Sequence, residues 1–240
     1  MDRTQDMNGT LYGIGVGPGD PDLLTLKAVR LIGACAVVAY PAPESGEALA
    51  RRIAAPHVPS GKIELPIRLP IEIERHPAQD AYDAGAALLA EHLEAGRDVA
   101  LLCLGDPLFY GSYMYLHARL AARFQTRIVP GVTSFAASAA LSHHALAARE
   151  DSVTVVPATL PDAEIERRIA AHESLVFLKL GRHFARLRAT LERLGLDDRA
   201  LYVERAGLDG ESTLPLAQAT HATAPYFSLI LVHRRGKAWT

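Results

Sequence analysis

Apolar residues fall in short runs along this chain, and turns or helical patterns separate one run from the next. Leu11, Ile14 and Val16 mark a first buried strand, and Gly17-Pro18-Gly19 breaks it. Residues 25–31 open a helix, and a short strand at 36–40 ends at Pro41-Ala42-Pro43. A helix at 47–53 and a strand at 62–67 follow, then a proline-punctuated stretch. Residues 78–95 carry helical periodicity that stops at Gly96. Residues 98–104 read as a buried strand, followed by Gly105-Asp106-Pro107. Ser112 is placed to cap a helix running to Arg123. A brief strand at 127–129 is broken by Pro130-Gly131, and the small residues of 133–141 predict a tightly packed helix.

The second half alternates differently. Strands are expected at 152–156, 175–180, 201–204, 213–216 and 226–232, with helices at 162–171 and 184–194, the latter stopping at Gly195. The alternation predicts an α/β protein of two α/β domains, 1–130 and 131–240. Two such domains facing each other would enclose an active-site cleft, a common ligand location. No internal repeat or low-complexity segment is visible.

Composition narrows the class. At 240 residues, 49% hydrophobic and 22% charged, the chain can bury a real core. A formal net charge of −2 leaves no global footprint for nucleic acid. Cys35 and Cys103 lie in apolar runs, as core thiols of a reduced protein do. The amino terminus, MDRTQDMNGT, is polar and lacks the apolar core of a signal peptide. No apolar run reaches the length of a membrane span, so a cytoplasmic protein is expected.

The chemistry concentrates in three loops. Gly17-Pro18-Gly19-Asp20 follows the first strand, Gly105-Asp106-Pro107 the fourth, and Pro130–Ser134 the fifth. Parallel strands would bring all three to one sheet edge, where open α/β sheets bind ligands. The first loop is no dinucleotide fingerprint: with Gly13 as the first position the sixth is Pro18, and with Gly15 as the first the sixth is Asp20. No Gly-Lys-Ser/Thr follows it, and Asp20 and Asp22 would repel a phosphate. Such a loop suits a neutral or cationic ligand, or serves simply as a strand-to-helix turn. His143 and His144 are adjacent and cannot share a helical face, and no His-x-x-x-His or Cys-x-x-Cys spacing occurs, so no protein-bound metal is expected. A Gly-x-Ser-x-Gly elbow is also missing.

The three loops, in this order and spacing, resemble the tetrapyrrole (corrin/porphyrin) methyltransferase family, over nearly the whole chain from Leu11 to Val232. GTLYGIGVGPGDPDLLTLKAVRLI, VVAYPAP, GDPLFYGSYMYLHARLA, VPGVTS and ALYVERA are similar to the branch that methylates C-20 of precorrin-2. The resemblance implies a class III, tetrapyrrole methyltransferase-like fold, S-adenosyl-L-methionine as methyl donor, and a homodimer. It places the donor against Pro18, Leu104, Gly105, Asp106, Phe109, Thr133 and Ser134, with Leu180, Ala206 and Ser228 completing the adenosine pocket. Tyr110, Ser112, Tyr113, Arg149 and Arg205 become tetrapyrrole contacts, arginine being suited to the substrate's many carboxylates. Arg182 and the Arg51-Arg52 pair invite the same reading, although for each arginine a solvated surface charge is the simpler one. Two positions depart from the branch: Leu104 stands where glutamate is more common, and Leu108 where an aromatic is.

Methyl transfer from an activated sulfonium needs mainly proximity and alignment. Asp106, Tyr110, Tyr113 and His144 are the groups that could take the proton lost from the methylated carbon, as could water. Asp106 could instead cap the turn that follows it, and Thr133 and Ser134 could be helix caps. A metal-free precorrin-2 is the preferred substrate, with a cobalt-loaded one as the alternative. The competing readings are a ribosomal-RNA methyltransferase of the same superfamily, a nucleotide-dependent oxidoreductase, and a tetrapyrrole carrier without turnover. The acidic net charge opposes the first, and Pro18 in the failed fingerprint opposes the second.

Overall fold

The computed structural model describes residues 8–44, 46–68 and 75–236, with side chains from 79 onward in the last stretch. Most of the polar amino terminus and of the proline-punctuated stretch after Ile67 lies outside the described residues. Packing divides the chain into two compact units, Met1–Thr133 and Ser134–Thr240.

Unit 1 runs β1 (Leu11–Gly15), α1 (Leu26–Ala34), β2 (Val37–Ala42), α2 (Leu49–Ala54), β3 (Ile63–Arg68), α3 (Arg75–Glu94), β4 (Val99–Cys103), α4 (Tyr113–Leu120) and β5 (Thr126–Val129). Its strands form one sheet in the order β3-β2-β4-β1-β5, every pair parallel. β4 is buried at all five positions because both faces of the sheet are covered. Leu101 and Cys103 pack with Leu89, Leu93 and Leu116 on one face, and Ala100 and Leu102 with Ile14, Ile32 and Ile53 on the other. Thr25 starts α1 by accepting a bond from the Ala28 N–H at 3.1 Å. Ser112, the expected cap of α4, makes no capping bond, because its backbone is already helical (φ −69°, ψ −16°).

Unit 2 runs α5 (Ser134–Leu141), β6 (Val153–Pro157), α6 (Asp162–Ala171), β7 (Ser174–Leu178), α7 (Phe184–Arg193), β8 (Ala200–Glu204), β9 (Ser212–Pro215) and β10 (Ser228–His233). Its sheet order is β6-β7-β10-β8-β9, with β6 and β7 parallel and the other pairs antiparallel. β10 is central and wholly buried. Ile230 and Val232 join the core under α6 and α7, while Leu229 and Leu231 meet Phe135, Ala139 and Leu141 of α5. Its apolar character is therefore spent inside the unit. The tight packing expected of α5 is not found: only Ser138 is buried, because the helix lies on one face of the sheet and its short side chains make one layer of contact.

Candidate active site

The parallel order puts the ends of β4, β1 and β5 side by side, and the three glycine-bearing loops leave from those ends. They are knotted through backbone. Gly105 N donates to Gly17 O at 2.8 Å, and Gly17 N returns a bond to Gly105 O at 3.3 Å. A Cβ on Gly131 would sit 2.1 Å from Gly105 O and 2.8 Å from the Gly15 Cα. Only glycine admits so close an approach. Asp106 ties the knot: Oδ1 accepts from Leu108 N at 2.9 Å and Oδ2 from Gly131 N at 3.0 Å. Its carboxylate thus serves the following turn and joins the second loop to the third. Residues 16–24, 104–111 and 130–134 hold aspartates and no lysine, arginine or histidine. A backbone-walled cradle without cations fits a ligand that itself carries positive charge, as a sulfonium does.

Pro18 is buried in this knot, while Leu104, Gly105, Asp106 and Phe109 are partly exposed and Ser134 is exposed. After the knot the chain turns sharply. Tyr110 takes a left-handed backbone (φ 53°) and is 51% exposed, and its ring meets Phe109 edge-on at 4.9 Å. A non-glycine residue in that region carries strain that surrounding structure must hold. Leu108 is exposed beside it. Tyr113, expected as a substrate contact or base, lies in the core at 1% exposure. The reason is a contact across the fold: Gly13 lacks a Cβ, and the Tyr113 ring fills that space, 2.4 Å from where the Cβ would stand. Burial pushes its phenol up to about 12, and the hydroxyl has no partner among the described residues.

In unit 2, one end of the sheet gathers residues far apart in sequence. β7 ends before Leu180, β8 ends before Ala206, and antiparallel β10 begins there at Ser228. Leu180 is 1% exposed and fills the core, so backbone of the 179–181 turn is what that position offers a ligand. Ser228 donates to Pro225 O at 2.5 Å. Ala206 packs on the opposite sheet face, against the α5 side. Arg205 (φ 55°) is exposed, with Nε donating to Asp209 O at 2.7 Å. Tyr202, Glu204 and His221 share this end; the first two lie in the ALYVERA motif, which by itself assigns them no role, and His221 lies in no motif.

His144 and Arg149 are placed elsewhere. They precede β6, at the sheet end where β7 starts and β10 finishes. Five residue steps of β10, about 16 Å, separate that end from Ser228. His144 Nε2 is buried without a partner among the described residues, and burial, then the nearby His233, hold its imidazole below the ordinary range. At the same end Asp151 accepts from Ala148 N at 2.9 Å, lies 3.2 Å from His233 Nε2, and pairs with Arg235. The structure therefore does not bring His144 or Arg149 to the loops that hold the other site residues of unit 2. Arg51 is taken up by Glu64 and Arg52 by Glu47, whereas Arg182 is exposed. Among the described residues, no group of three or more His, Cys, Asp or Glu side chains is arranged to hold a metal ion.

The family model of tetrapyrrole (corrin/porphyrin) methylases matches residues 10–220. The chain belongs to that family. It is 40% identical to a precorrin-2 C(20)-methyltransferase of a Sinorhizobium species, over 93% of this chain and 95% of that one. It is 45% identical, over 93% of its length, to the cobalamin biosynthesis protein CobIJ of Mycobacterium bovis, and spans 46% of that relative. The chain is thus about half as long as the CobIJ proteins it matches. A cobalt-precorrin-2 C(20)-methyltransferase of Salmonella typhimurium is 34% identical over 95% of this chain and 98% of that one. Among solved structures, a uroporphyrin-III C-methyl transferase of Thermus thermophilus complexed with S-adenyl homocysteine superposes with a TM-score of 0.67, at 28% identity, covering 93% of this chain and 92% of that one. A cobalt precorrin-4 methyltransferase superposes at 0.73 with 22% identity over 99% of both chains, a likeness of fold.

Proposed function

We propose that this chain transfers the methyl group of S-adenosyl-L-methionine to the C-20 meso carbon of precorrin-2, giving precorrin-3A for cobalamin synthesis. The observation that carries the proposal is the near full-length likeness, on both sides, to the Sinorhizobium precorrin-2 C(20)-methyltransferase. The structure holding S-adenyl homocysteine supports the donor, as does the cation-free cradle of the loop knot. Pro18, Leu104, Gly105, Asp106, Phe109, Thr133 and Ser134 hold the donor, and Leu180, Ala206 and Ser228 contact its adenosine. Tyr110, Ser112 and Arg205 contact the tetrapyrrole. In the transfer, the electron-rich meso carbon attacks the methyl in line. The new C–C bond forms as the S–C bond breaks, and its electron pair returns to sulfur as a neutral thioether. The meso carbon then loses a proton. With both Asp106 oxygens engaged by backbone N–H groups, Tyr110 or water takes that proton.

The metal-free substrate is preferred, since identity to the precorrin-2 enzyme exceeds identity to the cobalt-precorrin-2 enzyme. The family resemblance further supports a homodimer working in the cytoplasm. Among the described residues no helix is long and apolar enough to cross a membrane. The test is an anaerobic assay with precorrin-2 and donor labelled with carbon-13 at the methyl, read by mass and NMR. One labelled methyl at C-20 is expected. A label on another ring carbon would sink the regiochemistry, and transfer only to cobalt-loaded substrate would favour the second form. Tight, salt-sensitive RNA binding would overturn the substrate class.

A further inference from the structure

Glu204 is the last residue of β8, and its register partner on β10 is Ser228. Residues directly opposite in an antiparallel pair send their side chains to the same face. Glu204 Oε1 accepts a hydrogen bond from the Tyr202 hydroxyl and lies 3.2 Å from His221 Nε2. The Glu204 side chain is only 17% exposed, and Tyr202 is fully buried. The His221 ring packs 5.3 Å from the Tyr202 ring and 6.0 Å from Phe184. The stretch 219–227 is also fastened at Ala219, by Leu216 O and by the Arg188 guanidinium, and further along by the backbone bonds Ala224 N to Gly181 O at 3.0 Å and Arg205 N to Phe227 O at 2.8 Å. Those bonds hold it against the turns that carry Leu180 and Ala206. The Glu204–His221 contact is a side-chain tie between this stretch and β8.

We propose that Glu204 is a positioning residue for donor binding: by holding His221 and Tyr202, its carboxylate fixes the stretch 219–228 in the shape that contacts the donor's adenosine. The inference rests on the placement of adenosine against Leu180, Ala206 and Ser228. A buried hydroxyl needs an acceptor, and a half-buried carboxylate needs donors, so Tyr202, Glu204 and His221 satisfy one another. Burial, then the neighbouring Glu204, push the Tyr202 phenol up, which keeps it the donor in that bond. Removing the carboxylate leaves the Tyr202 hydroxyl with Ser228 as its remaining side-chain partner and His221 without its anchor. Ser228, which also bonds Pro225 within the same stretch, then loses its fixed orientation.

The experiment compares Glu204→Ala, Glu204→Gln and His221→Ala in the full chain. Calorimetry measures S-adenosylhomocysteine affinity, steady-state kinetics the KM of each substrate, and thermal unfolding the ligand-free stability. Glu204→Ala should weaken S-adenosylhomocysteine about tenfold and raise the donor KM equally, leaving the tetrapyrrole KM and the kcat at saturating donor within about twofold. Glu204→Gln should recover most of the loss, since an amide oxygen still accepts from Tyr202. His221→Ala should reproduce the loss with the Tyr202–Glu204 bond intact, which keeps the test sound if Glu204→Ala fails to fold. A lower melting temperature with unchanged affinity and donor KM in Glu204→Ala and His221→Ala would overturn the proposal. Ser228→Ala separates the two ideas. If it weakens affinity while the Glu204 and His221 variants do not, only the positioning role falls. If none of these variants changes affinity, the placement of adenosine falls, and the positioning role with it.

Discussion

Gly131→Ala tests the loop knot most directly. The added methyl would stand 2.1 Å from Gly105 O and 2.8 Å from the Gly15 Cα, both backbone atoms that no rotamer change can move aside. Gly131 has no left-handed φ, so the penalty is steric rather than conformational. Forcing one methyl into a filled space costs about 1–3 kcal/mol. Separating the loops also breaks the bond from Gly131 N to Asp106 Oδ2, a bond to a carboxylate worth about 1.5–3 kcal/mol. The sum, about 2.5–6 kcal/mol, corresponds to a fall of roughly 5–24 °C in melting temperature for a chain of this size. Gly33→Ala is the matched control. Its Cβ would meet nothing within 4 Å, and an alanine inside α1 gains up to about 1 kcal/mol of helix propensity. Thermal unfolding and calorimetric titration with S-adenosylhomocysteine report both effects. Gly131→Ala should melt early and bind weakly, and Gly33→Ala should match or exceed the parent. A Gly131→Ala protein that melts and binds like the parent would refute the knot and its role in donor binding.

Three further outcomes are expected. Tyr113→Phe removes a buried hydroxyl that has no partner among the described residues, so stability should hold or rise by about 1 kcal/mol with methyl transfer retained. Loss of transfer with donor binding intact would instead restore the phenol as a catalytic group. His144 is held below the ordinary histidine range by burial and then by His233, so the unfolded chain takes up the proton more readily. Folding stability should therefore be full above about pH 6.5 and fall as the pH drops below it, and His144→Gln should flatten that slope in urea titrations run from pH 5 to 8. Cys35 and Cys103 are buried, and burial pushes the Cys35 thiol up to about 12 and Cys103 higher still. Neither should react with iodoacetamide at pH 8 until the protein is unfolded, and rapid labelling of the native protein would contradict the packing of both sheet faces.

Local sequence was enough to determine the elements and the family. The fully apolar run of β4 needs cover on both sides of a sheet, and Gly-Pro-Gly cannot continue a strand, so strand, loop and helix follow from residues within a few positions of one another. The same local logic made Gly17, Gly105 and Gly131 visible as one constellation before their strands were known to be neighbours. What each residue faces was decided only by the fold. Tyr113 sits in the most distinctive segment of the chain, yet a missing Cβ a hundred residues earlier, at Gly13, draws it into the core. His144 and Arg149 look no different in sequence from Arg205, but the antiparallel path of β10 sends them to the other end of the sheet. Glu204 and His221 show no spacing that would pair them, because their contact depends on a loop returning to the end of β8. Periodicity records how a residue meets its own element. Partners across the sheet come from chain topology, and for that the three-dimensional path is required.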